Sequence, residues 1–448
     1  MKYNINNEEY SPLITKSRRR RCTKRKILKY SFISLGITSL LFAAAWVFLD
    51  LSINFQCKLS YTYPDSNVDL TMTYSSVFDY STNFVELENT EYANTVLLEP
   101  ETTKFITFTP VLRYIHRVNF PRLNYSNKYK YTVNIGPYRT QEYVFQTPVM
   151  NKTEWNVLIY GDMGLVGDTT RTYIIDRIKR VGADFFIHLG DIAYNMEESY
   201  GSVGDMYLSN MEPASSVIPY MTVAGNHEQY DNFTNYYNRF TMPNRNTSHN
   251  LWYSLDKPPV KFININSESF YYSFQVPTIK NMVNYINTTL KGVNRSKFPW
   301  VFVSAHRPMY CSSNNTDDCT LWRTDKVRLA LEDMFYYNNV SIYMSAHEHS
   351  YERICPIYNG KCQNDTIRNT TFYYNKLSNP IHIVNGGSGN REGNSGFISS
   401  PEYWSVVRNK AKSYGVLYAN YSYLNWTEYG ILENGTEAVI DWIEIIKN

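Results

Sequence analysis

Hydrophobic and polar positions divide this chain into three regimes. From Tyr30 to Leu49 no residue is charged, and Leu, Phe, Ile and Ala dominate. That run matches the roughly 20 residues a helix needs to cross a bilayer. From residue 61 to about 150, short strand-like runs alternate with turn residues and no helical period persists. Leu70 to Tyr74, Phe105 to Phe108, Tyr114 to Phe120 and Tyr129 to Ile135 are the clearest of them. They predict a small antiparallel β-sandwich. From Trp155 the pattern changes to apolar strands alternating with helices. Val157 to Tyr160 is followed by a helical pattern over Thr170 to Val181, with Tyr173, Ile174, Ile178 and Val181 on one face. Phe185 to Leu189, Tyr220 to Ala224, Trp300 to Ala305 and Val340 to Ala346 are further strands. Alternation of this kind predicts a parallel or mixed sheet covered on both faces. The expected organisation is a basic tail over 1–29, a transmembrane helix over 30–49, a linker over 50–60, a sandwich over 61–150 and an α/β domain over 151–448.

Charge sharpens the first regime. Residues 1–49 carry a net charge of +8 against +3 for the whole chain, so the remainder carries −5. A mildly acidic body does not suit a nucleic-acid binder. The cluster Arg18, Arg19, Arg20, Arg21, Lys24, Arg25, Lys26 and Lys29 precedes the apolar run and should stay cytoplasmic. The expectation is a single-pass type II membrane protein whose body is lumenal, in lysosome or endosome, or extracellular. A cleaved signal is the alternative, although the run is longer than a signal-peptide core. Glu9-Tyr10-Ser11-Pro12-Leu13-Ile14 resembles an acidic dileucine signal read by sorting adaptors, against a plain cytoplasmic tail as the alternative.

Cysteine placement agrees with an oxidising compartment. Cys311 and Cys319 bracket one short polar loop, and Cys355 and Cys362 bracket another. Both read as local disulfides. Cys57 is left unpaired, and Cys22 beside the apolar run is either palmitoylated or free. Sequons at Asn124, Asn151, Asn232, Asn287, Asn339 and Asn425, among others, fit a glycoprotein.

The strand ends carry the chemistry. The predicted strands close on Asp162, Asp191, Asn226, His306 and the pair His347 and His349, with Tyr194 three residues beyond Asp191. Alone, Gly190-Asp191 is an ordinary turn. Together these are hard oxygen and imidazole donors without a thiolate, suited to Fe, Zn or Mn. Seven donors with one shared carboxylate are about what two metals roughly 3.5–4 Å apart need.

The blocks Gly161-Asp162-Met163-Gly164, Gly190-Asp191-Ile192-Ala193-Tyr194, Gly225-Asn226-His227-Glu228, Val303-Ser304-Ala305-His306 and Ala346-His347-Glu348-His349 resemble the five metal-binding motifs of the calcineurin-like metallophosphoesterases. Tyr194 narrows the resemblance to the purple acid phosphatases. Phe145-Gln146-Thr147-Pro148, His306-Arg307-Pro308-Met309-Tyr310-Cys311 and Gly387-Ser388-Gly389-Asn390-Arg391-Glu392-Gly393 look like further segments of that family. The resemblance implies a fibronectin-type-III-like sandwich followed by a four-layer α/β/β/α domain. It gives Asp162, Tyr194 and His349 to Fe(III), and Asn226, His306 and His347 to a divalent ion, Zn, Mn or Fe, with Asp191 bridging. It implies hydrolysis of phosphate monoesters at acid pH by hydroxide generated at the two ions. A phosphodiesterase or nucleotide pyrophosphohydrolase on the same scaffold is the alternative. Asn226 and His227 would meet the phosphoryl group, and His227 either protonates the leaving oxygen or only supports the ligands. Two departures stand out: Ala346 replaces a glycine, and the paired histidines that some plant members carry after the fourth motif are not evident after His306. His116, His188, His249 and His382 read as structural.

Overall fold

The computed structural model describes residues 55–447, apart from 108–111, 122, 167, 273–275, 315–317, 320–322 and 364–368, together with helical residues 36, 38 and 39. The tail 1–29, with Glu9 to Ile14 and Cys22, and almost all of the predicted span 30–49 lie outside the described residues. Among the described residues no helix is long and apolar enough to cross a membrane.

The first sheet pair is built from β1 (Lys58–Tyr61), β2 (Leu70–Ser76), β3 (Asn83–Asn89), β4 (Asn94–Leu98), β5 (Glu101–Ile106), β6 (Leu112–Phe120), β7 (Lys128–Ile135), β8 (Tyr138–Arg139) and β9 (Tyr143–Gln146). One sheet has the order β1-β2-β6-β5; the other runs β4-β3-β7-β8, with β9 also on β7. Every pairing is antiparallel. The ring of Phe120 in β6 meets Tyr131 and Phe145 of the other sheet, closing a sandwich core. β1 begins inside the stretch expected as linker. Phe55, Cys57 and Leu59 are buried there, so their apolar surface belongs to the core rather than to a tether.

The remaining strands are β10 (Trp155–Tyr160), β11 (Phe185–His188), β12 (Tyr220–Thr222), β13 (Tyr253–Lys257), β14 (Val260–Asn264), β15 (Trp300–Ser304), β16 (Ile342–Ser345), β17 (Tyr351–Ile354), the hairpin β18 (Ile357–Tyr358) and β19 (Lys361–Cys362), β20 (Thr371–Tyr373), β21 (Ile381–Asn385), β22 (Ser405–Asn409), β23 (Lys412–Ala419), β24 (Tyr423–Ile431) and β25 (Glu437–Ile446). All but the β18–β19 hairpin form two mixed seven-stranded sheets, β12-β11-β10-β23-β24-β25-β20 and β13-β14-β15-β16-β21-β17-β22. β10, β11 and β12 are parallel, as are β14, β15, β16 and β21. Phe-Phe-Ile-His in β11 and Trp-Val-Phe-Val-Ser in β15 are buried throughout, the composition of strands covered on both faces.

The two sheets meet face to face. Phe185 packs edge-on against Phe262 with centroids 5.4 Å apart, and the Asn385 side chain donates to Ile159 O at 3.0 Å. The helix Asp168–Val181 covers β10 and β23, and Phe335 of the helix Arg323–Tyr337 packs on Tyr343 of β16. Layers therefore run helix, sheet, sheet, helix. The parallel strands of both sheets deliver their carboxyl ends to one shared edge, where open α/β sheets place ligands.

The described residues from 55 onward cluster as one compact unit. Arg113 of β6 pairs with Asp205 of the helix Ser202–Ser215, which also pairs with Arg239 at 2.6 Å, all three side chains being buried. Tyr131 adds a bond to Ser216 O at 2.8 Å. The sandwich is thus welded to the sheets by a polar network that water does not reach.

Candidate metal centre

Each predicted strand end emerges at the shared edge. Beyond the strands the loops remain stitched together: Asp162 N donates to Gly190 O at 3.2 Å, and Ala346 N to His306 O at 2.8 Å. Asp162, Asp191, Tyr194 and His347 all have positive φ, at 58°, 51°, 53° and 71°. Such conformations cost about 1–3 kcal/mol each for non-glycine residues and concentrate at functional sites. Here they turn four candidate ligands off the strand direction into one space. Gly190, at φ 88°, makes room for this convergence, since a Cβ there would lie 2.7 Å from His306 Nδ1. The departure at Ala346 is accommodated across the sheets by Gly161, whose missing Cβ would stand 2.4 Å from the Ala346 methyl.

The seven predicted donors fall into two groups. In one, the Tyr194 hydroxyl lies 3.2 Å from Asp162 Oδ1 and 2.9 Å from His349 Nε2. In the other, His306 Nε2 lies 3.0 Å from Asn226 Oδ1 and 3.1 Å from His347 Nδ1. Asp191 Oδ2 stands 3.4 Å from His306 Nε2. Ligand atoms of Asp191, His306 and His347 all lie within 4.8 Å of one another.

The atoms that do not face the cluster are occupied elsewhere. His306 Nδ1 bonds Leu189 O at 2.8 Å, His349 Nδ1 bonds Gly393 O at 3.0 Å, and His347 Nε2 meets Asp318 Oδ2 at 2.5 Å. Partners of this kind fix which ring nitrogen keeps a lone pair. Asp162 Oδ2 accepts from His347 N at 2.8 Å, and Asp191 Oδ1 from His227 N at 2.9 Å. The Glu228 carboxylate accepts from the backbone amides of Asp191, Ile192 and Gly225 at 2.8, 2.9 and 2.8 Å, clamping the loop after β11 to the loop after β12.

Electrostatics favour cations in this space. Burial pushes the Asp162 carboxyl well above the usual carboxylate range. Burial acts the same way on Asp191, but the adjacent His306 outweighs it and holds that carboxyl well below its ordinary value. His306 in turn is raised to about 10, because Asp191 overcomes the effect of its own burial. Burial lowers His347 to about 3 and also lowers His349, disfavouring the charged ring in both. Burial, reinforced by Asp162 and Asp191, raises the Tyr194 phenol. Buried carboxylates here recruit a protonated histidine as counter-charge, and a metal ion would serve the same need with Nε2 as a ligand. The donor set fits two hard or borderline cations.

Several neighbours escaped the sequence reading. Asn195 Oδ1 lies 2.8 Å from His227 Nδ1, and Arg307 holds Glu268 in two contacts of 2.8 and 2.9 Å. Glu228 and Arg307 sat inside the motif blocks and could have been singled out there. Asp318 had one signal, its position next to Cys319 in a short disulfide loop. Both predicted bridges are present, Cys311–Cys319 and Cys355–Cys362, and Cys57 is free and buried.

Two mixed sheets presenting this donor set at parallel strand ends define a calcineurin-like phosphoesterase. The model of the calcineurin-like phosphoesterase family matches residues 156–351, and that of the iron/zinc purple acid phosphatase-like protein C region matches 379–441. Acid phosphatase type 7 of Mus musculus is 34% identical over 349 residues, 75% of this chain and 77% of that protein. The Homo sapiens acid phosphatase type 7 is 34% identical over 353 residues, with the same shares covered. Among solved structures, the purple acid phosphatase PPD1 from yellow lupin seeds superposes with a TM-score of 0.75 at 25% identity, over 88% of this chain and 74% of that one. The chain belongs to the purple acid phosphatase family.

Proposed function

We propose that this protein is an acid phosphatase that hydrolyses phosphate monoesters at a binuclear centre of Fe(III) and a divalent ion, Zn, Mn or Fe. The observation that carries the reading is the convergence of six donors in two groups of three, with Asp191 as the seventh. Asp162, Tyr194 and His349 would hold the iron, Asn226, His306 and His347 the divalent ion, and Asp191 would serve both. When bound, the two cations grip phosphate oxygens and lower the pKa of water enough for hydroxide to form in acid.

The chain's own residues arrange the rest. His227 Nδ1 faces Asn195 Oδ1, whose amide nitrogen is held by Glu198 at 2.6 Å, so Asn195 presents an acceptor and the His227 proton sits on Nδ1. His227 Nε2 then points between Asp191 Oδ2, 3.8 Å away, and Glu392, 3.5 Å away. That places Nε2 to bind a phosphoryl oxygen or, when protonated, to donate to the leaving oxygen. Asn226 would reach the same phosphoryl group beside its metal.

The two disulfides support an oxidising compartment for residues 151–448. The apolar run 30–49 behind its basic cluster supports a type II anchor with the body lumenal or extracellular and glycosylated. The sandwich, taken over residues 61–150, is read as the family's fibronectin-type-III-like module.

Metal analysis and a visible spectrum of the expressed ectodomain test the centre, with iron and a divalent ion near one each per chain as the expected result. Hydrolysis of a model monoester alongside a model diester tests the reaction. Preference for the diester would move the assignment to a phosphodiesterase on the same scaffold.

A further inference from the structure

We propose that Asp318, tethered by the Cys311–Cys319 disulfide, positions His347 as a ligand, so that the disulfide is a working part of the divalent-metal site. The inference rests on the reading of the centre given above.

Ser312, Ser313 and Asp318, which the bridge brackets, each contact the segment after β16. Ser312 donates from its backbone N to Glu352 at 2.8 Å and from its hydroxyl at 2.5 Å. The Ser313 hydroxyl bonds Glu348. Asp318 Oδ2 then meets His347 Nε2 at 2.5 Å, while Asp318 Oδ1 takes Arg307 Nη1 at 2.8 Å. Arg307 is itself fixed by the bidentate Glu268 carboxylate. Asp318 is buried, 5% exposed, and is the residue next to bridged Cys319. The bridge therefore sets the reach of its side chain.

Imidazole has one lone pair to give. His347 Nδ1 faces the cluster, 3.1 Å from His306 Nε2, and can ligate only if the ring proton sits on Nε2. Two groups compete at Nε2. Arg307 Nη1 lies 2.9 Å away, and as a donor it would drive the proton onto Nδ1 and disable the ligand. The Asp318 carboxylate is a pure acceptor, closer, and already satisfies the guanidinium through its other oxygen. It holds the proton on Nε2 and makes Nδ1 the more basic nitrogen. The other two cluster histidines are oriented by backbone carbonyls, which no side-chain substitution removes. His347 alone of the three depends on a side chain, and that side chain depends on a disulfide.

The test uses the ectodomain as Asp318→Ala, Asp318→Asn and the pair Cys311→Ser with Cys319→Ser. Zn(II) alone is titrated against a competing chelator, iron is counted by elemental analysis, and folding is checked by circular dichroism. Loss of such an outer partner weakens metal binding by about 10–100-fold. The expected result is that weakening for Zn(II) in both Asp318 variants, with iron and the visible band of Tyr194 retained. The cysteine pair should weaken Zn(II) in the same direction while leaving iron in place. Folded Asp318→Ala that binds Zn(II) as tightly as wild type overturns the proposal, and if Asp318→Ala does not fold, unchanged Zn(II) binding in folded Asp318→Asn does the same. A wild-type ectodomain that takes up neither metal overturns the parent reading and this one with it.

Discussion

The phenol oxygen of Tyr194 lies 2.9 Å from Nε2 of His349, and the two side chains close one half of the donor cluster. Their approach is set by a left-handed backbone at Tyr194 and by the Gly393 carbonyl behind His349. Phenolate bound to ferric iron gives a visible charge-transfer band. Tyr194→Phe keeps the ring in its pocket and removes only the oxygen. The expected outcome is a bleached spectrum with the divalent ion retained, read by absorbance and elemental analysis on one sample.

Asp191 is predicted to behave differently. Its Oδ1 accepts from His227 N and its Oδ2 faces His306 of one group, while its charge adds to burial in raising the Tyr194 phenol of the other. Asp191→Asn should release both metals together and take phosphatase activity to background, with circular dichroism unchanged. Loss of only one metal would show that the carboxylate is not shared.

Stability of the weld between sandwich and sheets should hinge on Asp205. It is the acceptor for both Arg113 and Arg239, and both arginines are buried. Removing one partner of a buried charge group costs about 3–5 kcal/mol, because the others are left uncompensated. Asp205→Ala should lower the melting temperature sharply. Arg391→Ala, which breaks the exposed pair with Glu198, should change it little.

Lys58 makes a pH prediction. Its ammonium is buried with Gln56 O at 2.9 Å, and burial, assisted by Arg239, lowers it from 10.5 to about 7. Between those values the unfolded chain keeps the proton and the folded chain has lost it. Stability therefore rises with pH across about 7 to 10.5, by up to about 1.4 kcal/mol per pH unit from this group. Lys58→Met should flatten that slope in denaturant unfolding measured at several pH values.

Legibility followed contact range. The five strand ends could be read because an apolar run and the polar residue that closes it are neighbours in sequence, and the two disulfides because each closes a short loop. Asp318 carried only its position beside Cys319, since its partner His347 lies on another element and nothing local marks the pairing. β23, β24 and β25 were also missed as parts of the sheet built on β10. Val416 and Leu417 pair with β10 from the far end of the chain, a register that no local pattern specifies. Asn195 and Glu228 fall between these cases: they stand in or beside the recognised blocks, but what they hold is visible only when two loops are brought together.

The pairing of β10 with β23 bears on how the protein is made. β10 carries Asp162 at its end and is synthesised early, and β11 soon covers one of its edges. Its other edge waits for Lys412–Ala419 to leave the ribosome. Pairings of such long range form slowly, and an open strand edge invites association with other chains. A nascent chain stalled or clipped before residue 412 thus displays an unfinished sheet that chaperones and proteases can recognise. Only completion of the last strands closes that edge.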